Sequence, residues 1–190
     1  MGRDQMAVRD RRVKRTENLL AKALIALSLE KGYEAVTIRD LTERADVGYA
    51  TFFRHYHDKD ELLAEVVEVV LDELLVRLPS SPDADPAEVG RILFQYVAEH
   101  AEVIRVLLVS NGPSSLLKNV IDTGTQSVLS QHVPLEDGIV PPEVAAHHLV
   151  MSTITLIQWW LDHDMPYSPE RMGLMYQELI ARPAAVAFQR

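Results

Sequence analysis

Hydrophobic positions recur along this chain at the spacing of helices. Leu20, Ala23, Leu24 and Leu27 stand at i, i+3, i+4 and i+7, which is one face of a helix. The pattern predicts a first helix from about Thr16 to Gly32, where a glycine suits the left-handed residue that closes it. Thr37-Ile-Arg-Asp40 reads as a capping box opening a second helix. There the hydroxyl accepts from the amide three residues on, and the carboxylate reaches back. Asp46-Val-Gly48 stops that helix after about two turns, and a third short helix is expected over Tyr49–His55. Asp58 caps a fourth, with Leu62, Val66, Val69 and Val70 on one face. The Pro- and Ser-rich run from Pro79 to Pro86 is the clearest break in the chain. Beyond it, helices are expected at Pro86–His100, Ala101–Val109, Pro113–His132, Pro142–Asp164 and Pro169–Arg182, most opening on a proline. No run of Val, Ile or Thr alternates with period two. The fold class is therefore all-α, with about nine helices in total. A three-helix helix-turn-helix unit leads, and a larger helical domain follows. The expected divisions are a basic flexible arm at 1–15, the helix-turn-helix unit at 16–60, a connecting helix at 61–78 and the helical domain at 79–190.

Charge alters the picture only when resolved along the chain. The 190 residues carry a net charge of −9, which by itself argues against a nucleic-acid partner. Residues 1–57, however, hold 11 basic and 8 acidic side chains, a net of +3. Residues 58–190 hold 8 basic and 20 acidic ones, a net of −12. Arg9, Arg11, Arg12, Lys14 and Arg15 form a dense basic run. Such asymmetry marks a segment that faces nucleic acid. The chain has no cysteine, so thiol nucleophiles, disulfides and thiolate metal sites are excluded. Met1–Arg15 lacks the apolar core of a secretory signal. The apolar stretch Val150–Leu161 is short and interrupted by Ser152, Thr153, Thr155 and Gln158. A soluble, cytoplasmic protein without a membrane partner is expected.

Leu24, Leu27, Ile38, Leu41, Ala45, Val47 and Phe52 are expected to pack the first three helices. This leaves Tyr49, Ala50, Thr51, Phe53, Arg54 and His55 facing outward. The stretch from Gly32 through Thr37-Ile-Arg-Asp, Ala45-Asp-Val-Gly-Tyr-Ala-Thr51-Phe-Phe-Arg-His-Tyr56 and Lys59 to Leu62 closely resembles the DNA-binding domain of TetR-family transcriptional regulators. The resemblance is continuous from about Thr16 to Val67. It implies that Thr37 contacts a phosphate and that Tyr49, Ala50 and Thr51 meet base edges. It implies further that Phe53, Arg54 and His55 lie against the backbone and that Lys59 binds phosphate. Three positions depart from the family pattern. Phe53 replaces a tyrosine and can only pack, Asp46 replaces a glycine, and Gly48 replaces a serine cap.

The C-terminal half resembles the family only in length and helical character. One such head reads one half-site, so two copies are required. Met172, Met175, Tyr176 and Leu179 fall on one face of the last helix and are the expected dimer contacts. The helix before it is apolar nearly all round and should be buried on several sides. Phe94, Val97, Ile104, Leu108, Leu117, Ile121, Met151, Thr155, Gln158 and Trp159 are the expected lining of a ligand chamber, with Asn111 as a further polar candidate. The resemblance thus implies a ligand-responsive regulator, more often a repressor. It would be a homodimer on a palindromic double-stranded operator, released by a small apolar or amphipathic effector. No catalytic residues and no cofactor are expected, because no nucleophile elbow, phosphate loop or His-Glu-x-x-His pattern is present. No metal site is expected either, since adjacent His147 and His148 diverge by about 100° on a helix. A protein-interaction or metal-sensing role for the same fold is the alternative.

Overall fold

A computed structural model of the chain describes residues 2–79, 81, 84–109, 112–135 and 138–188, with side chains from Arg12 onward. Among these residues it is helical throughout. The elements are α1 (Gly2–Lys31), α2 (Ile38–Ala45), α3 (Tyr49–Phe52), α4 (Lys59–Arg77), α5 (Pro86–Glu99), α6 (Ala101–Leu108), α7 (Ser114–Gln131), α8 (Pro142–Asp162), α9 (Pro169–Tyr176) and a three-residue α10 (Arg182–Ala184). None of the described helices is long and apolar enough to cross a membrane.

Most ends fall where local chemistry puts them. The capping box on α2 forms as expected: Thr37 Oγ1 accepts from the Asp40 amide at 3.2 Å, and Asp40 Oδ2 accepts from the Thr37 amide at 2.8 Å. Asp58 caps α4, accepting from the Glu61 amide at 2.8 Å. Gly32 has φ +83° and ψ 143°. That is positive φ, as the sequence requires, but with an extended ψ that sends the chain out of α1 into a 3₁₀ turn at Tyr33–Ala35. Asp46 adopts the left-handed conformation at φ 52°, ψ 45°, which its short polar side chain tolerates.

Three boundaries differ from expectation, and α3, which ends at Phe52 and not His55, is one of them. α1 does not start near Thr16 but extends back to Gly2, through the segment expected to be a flexible arm. No proline or glycine lies between Arg3 and Lys31, and the arm is rich in strong helix formers. The Thr16 hydroxyl donates to the Arg12 carbonyl at 3.1 Å, the bond of a mid-helix residue and not of a cap. At the other end, α9 passes into a π-helical turn at Gln177–Ala181. Pro183 follows at the start of a short α-helical segment, Arg182–Ala184, where its missing amide hydrogen is tolerated.

Two main cores form. Leu20, Leu24, Leu27, Tyr33, Leu41, Phe52, Tyr56, Leu62 and Leu63 fill the first. Val106 of α6 and Leu116 of α7 join that core, so the head shares packing with the helices behind it. The second holds Leu93, Phe94, Val97, Ile157, Trp160, Leu161, Met172, Tyr176 and Ile180. Its densest seam is α5 against α9, where two glycines let the backbones touch. A Cβ on Gly173 would lie 2.4 Å from the Ala87 carbonyl oxygen, and one on Gly90 would lie 2.9 Å from the Gly173 Cα. Overpacking at such a contact costs about 1–3 kcal/mol. Gly173→Ala should therefore lower the urea midpoint of the whole chain by the equivalent of at least about 1 kcal/mol, and an unchanged midpoint would show that the seam can open.

Candidate nucleic-acid interface

The head is built around one short helix. α3 is a single turn, too short to be stable alone, and is held from both sides. Phe52 points into the core with no exposed surface. Phe52 and Tyr56 amides bond to the Gly48 and Phe52 carbonyls at 3.3 and 2.9 Å. Tyr49, Ala50, Phe53 and Arg54 are exposed, and Thr51 is half-buried. Expected outward residues and observed ones agree at these positions, although 53–55 form a turn and not a continuation of α3.

The three remaining candidates are engaged within the chain. Thr37 Oγ1 donates to Asp40 Oδ2 at 2.6 Å while accepting the Asp40 amide. The His55 ring turns inward, with Nδ1 3.3 Å from Glu17 Oε1 of α1. Lys59 Nζ donates to the carbonyls of Tyr33, Glu34 and Val36 at 2.8, 3.3 and 3.2 Å. It also sits 4.4 Å from the centre of the Tyr33 ring. An ammonium has three donors, and these three carbonyls take them all. Tyr33 in turn donates its hydroxyl to Asp60. Burial, with the Asp60 carboxylate second, pushes that phenol above its ordinary pKa, so it stays a donor.

Ion pairs fasten α2 to the end of α1. Arg44 grips Glu30 with two bonds of 2.9 and 2.7 Å, and Lys31 meets Asp40 at 2.7 Å. Partly exposed pairs of this kind contribute little to stability, because water and salt screen them. Lys31 and Thr37 together hold the Asp40 carboxyl well below the usual carboxylate range.

Sequence reading missed one feature of this surface. An open cleft of about 740 Å³ runs between α2 and α3, lined by Arg39, Thr42, Glu43, Asp46, Val47, Gly48 and Tyr49. Arg39 bonds to Glu43 at 2.9 Å across its rim. The spacing of 39, 42, 43 and 46 along α2 is the helical signal that would have revealed it. Cations also line α1: Lys14, Arg15 and Lys22 border a second groove with Asn18 and Leu19. The side chains of Arg9 and Arg11, in the same basic run, lie outside the described residues.

The C-terminal candidates divide in two. Phe94 and Val97 are buried, with the Phe94 ring edge-on to Trp160 at 5.2 Å. Ile104, Leu108, Leu117 and Ile121 are half-buried. Gln158 Nε2 donates to the Leu108 carbonyl at 2.8 Å, tying α8 to the end of α6. Met151, Thr155 and Trp159 are exposed instead; they cannot line an interior chamber in this arrangement. They stand at i, i+4 and i+8 on α8, while Val150, Ile154, Ile157 and Leu161 form the buried stripe. The dimer candidates need a similar correction. Met172 has no exposed surface and Tyr176 only 7%, because both fill the seam between α5 and α9. Met175 is half-buried. Leu179 is exposed, as is Leu174. Asn111 lies outside the described residues. Among the described residues, no three His, Asp or Glu side chains gather as a metal site.

Known proteins resemble this chain in both halves. Residues 20–66 match the family described as bacterial regulatory proteins, tetR family. Residues 85–182 match a transcriptional regulator C-terminal region. An uncharacterized HTH-type transcriptional regulator of Bacillus subtilis (strain 168), YxbF, is 26% identical over 177 residues, covering 90% of this chain and 46% of its own length. The HTH-type transcriptional repressor KstR of Rhodococcus jostii (strain RHA1) is 28% identical over 97 residues, 51% of this chain and 45% of that one. The chain thus spans about half the length of these relatives or less. A solved TetR transcriptional regulator from Streptococcus agalactiae 2603V superposes with a TM-score of 0.70 at 24% identity, covering 92% of this chain and 98% of that one.

The depressed Asp40 pKa makes a pH prediction. A carboxyl whose pKa is lower folded than unfolded contributes stability above its ordinary value, near 3.8, and loses it as pH falls through the carboxylate range. Asp40→Asn should be less stable than the parent at pH 7 but should lose less on acidification to about pH 2. Parallel urea midpoints for the two proteins across that range would contradict this.

Proposed function

The chain belongs to the TetR family of bacterial transcriptional regulators, and we propose that it is a repressor that binds a palindromic operator as a homodimer and is released by a small effector. The observation that carries the reading is the exposure of Tyr49 and Ala50 on a one-turn helix, and of Phe53 and Arg54 in the turn that ends it, beyond a left-handed residue at Asp46. That is a surface built to enter a major groove. The repressor sense is favoured by the similarity to the transcriptional repressor KstR. Action in the cytoplasm goes with double-stranded DNA as the partner.

The dimer is proposed to form through exposed apolar residues of the last two long helices: Val144, Met151 and Trp159 on α8, with Leu174 and Leu179 beyond them. This replaces Met172 and Tyr176, which the chain buries within itself. The effector is proposed to enter among Phe94, Val97, Ile104, Leu108, Leu117 and Ile121, between α5, α6 and α7, where apolar surface favours an apolar or amphipathic molecule. α4 connects that region to the head, and a shift of α4 would change the separation of two recognition helices. Coupling of about 1–3 kcal/mol would alter operator affinity 5–150-fold.

Selection of bound duplexes from random DNA tests the reading. It should return inverted repeats whose half-sites lie about one helical turn, or a multiple of it, apart. Affinity for them should fall steeply with salt, and Arg54→Ala should reduce that salt slope by about one. Binding that is absent, or indifferent to salt, would sink the regulator reading for this surface.

A further inference from the structure

The outward face of α3 and of the turn that follows it is aromatic. Between Gly48 and His55 stand Tyr49, Ala50, Thr51, Phe52, Phe53 and Arg54. None is an asparagine or glutamine, the amides that pair bidentately with adenine. The one guanidinium, Arg54, lies with Phe53 in the turn that follows α3. What the helix and this turn present outward is Tyr49, 57% exposed, and Phe53, 47% exposed, with Ala50 exposed beside them. The two rings touch edge-on, with centroids 5.2 Å apart. Phe53 is also propped from behind by buried Phe52, at 5.4 Å and 81°. Packing on both sides fixes the orientation of Phe53 before any partner arrives, so little side-chain entropy remains to be lost on contact.

Two large rings held in water at the tip of a reading helix need an apolar partner. A B-DNA major groove offers one apolar group, the 5-methyl of thymine. We propose that Tyr49 and Phe53, with Ala50 between their contacts, form a thymine-methyl reader, and that half-site specificity rests on methyl contact more than on hydrogen bonds. The phenylalanine at 53 thereby gains a role that a phosphate-binding hydroxyl would not serve. The cations on α1 and Arg54 supply affinity for the backbone around it, without base preference. This inference rests on the operator-binding reading above.

The test uses the full-length chain and an operator obtained by selection. Each thymine of a half-site is replaced in turn by uracil, which keeps the pairing and removes only the methyl. Affinity should fall about fourfold for each contacted methyl, the share of one buried methyl group. In Phe53→Ala and Tyr49→Ala the thymine-to-uracil ratio at the contacted positions should collapse toward one, while Phe53→Tyr should keep it. Both rings are about half exposed and lie outside the buried cores, so these variants should fold; the uracil arm needs no variant. Unchanged affinity for fully uracil-substituted half-sites would overturn the inference, as would wild-type ratios in both alanine variants. If binding is salt-dependent but blind to the methyl, only this inference falls. If no duplex is bound at all, the operator reading falls with it.

Discussion

The recognition surface depends on the seat of α4 against the turn that leaves α1. A one-turn α3 has almost no stability of its own, and its direction is inherited from what surrounds it. Lys59, the first residue of α4, spends its ammonium on three carbonyls of Tyr33, Glu34 and Val36. Tyr33 answers with its hydroxyl on Asp60, the next residue of α4. These bonds run in both directions between the same two elements, and the apolar core closes beneath them through Tyr33, Leu62 and Leu63. Hydrogen bonds to charged groups are each worth about 1.5–3 kcal/mol. α4 and the head should accordingly move together. That is the mechanical requirement for a signal in the C-terminal half to reach the DNA-facing surface.

The helix-turn-helix half was legible because local rules decide it. The Thr37–Asp40 box, the Asp58 cap, the positive φ at Gly32 and the left-handed Asp46 each depend on a residue and its near neighbours. Their structural outcome follows from sequence positions three or four apart. What local rules do not carry is which donor a side chain finds across the fold. Lys59 and His55 have the chemistry to meet a DNA backbone but are engaged across the fold instead. Their actual partners lie as far as 38 residues away, as with Glu17 and His55. No periodicity encodes that distance.

The C-terminal half was legible as helices but not as faces. α8 is apolar nearly all round, so hydrophobic periodicity does not say which stripe turns inward. Val150, Ile154, Ile157 and Leu161 do so, and Met151, Thr155 and Trp159 are left outside. The last helix erred in the opposite sense. Its regular apolar stripe invites a partner, but the glycines at 90 and 173 bring α5 close enough to supply that partner within the chain. A glycine in a helix is read from sequence as a weakness; here it sets which face stays buried. Charge follows the same division of labour. A basic head on an acidic body would confine the proposed DNA affinity to one surface, because an acidic body repels phosphate.

Lys59→Met gives the most direct test of the junction, since it keeps most of the stem and removes the ammonium. Hydrogen exchange across residues 38–56 and the salt dependence of operator affinity should be measured together. If Lys59 is the clamp, exchange in α2 and α3 accelerates without DNA, affinity drops, and the salt slope stays as it was. If exchange is unchanged and the slope falls by about one, Lys59 is a phosphate ligand, and the seat of α4 does not govern the head.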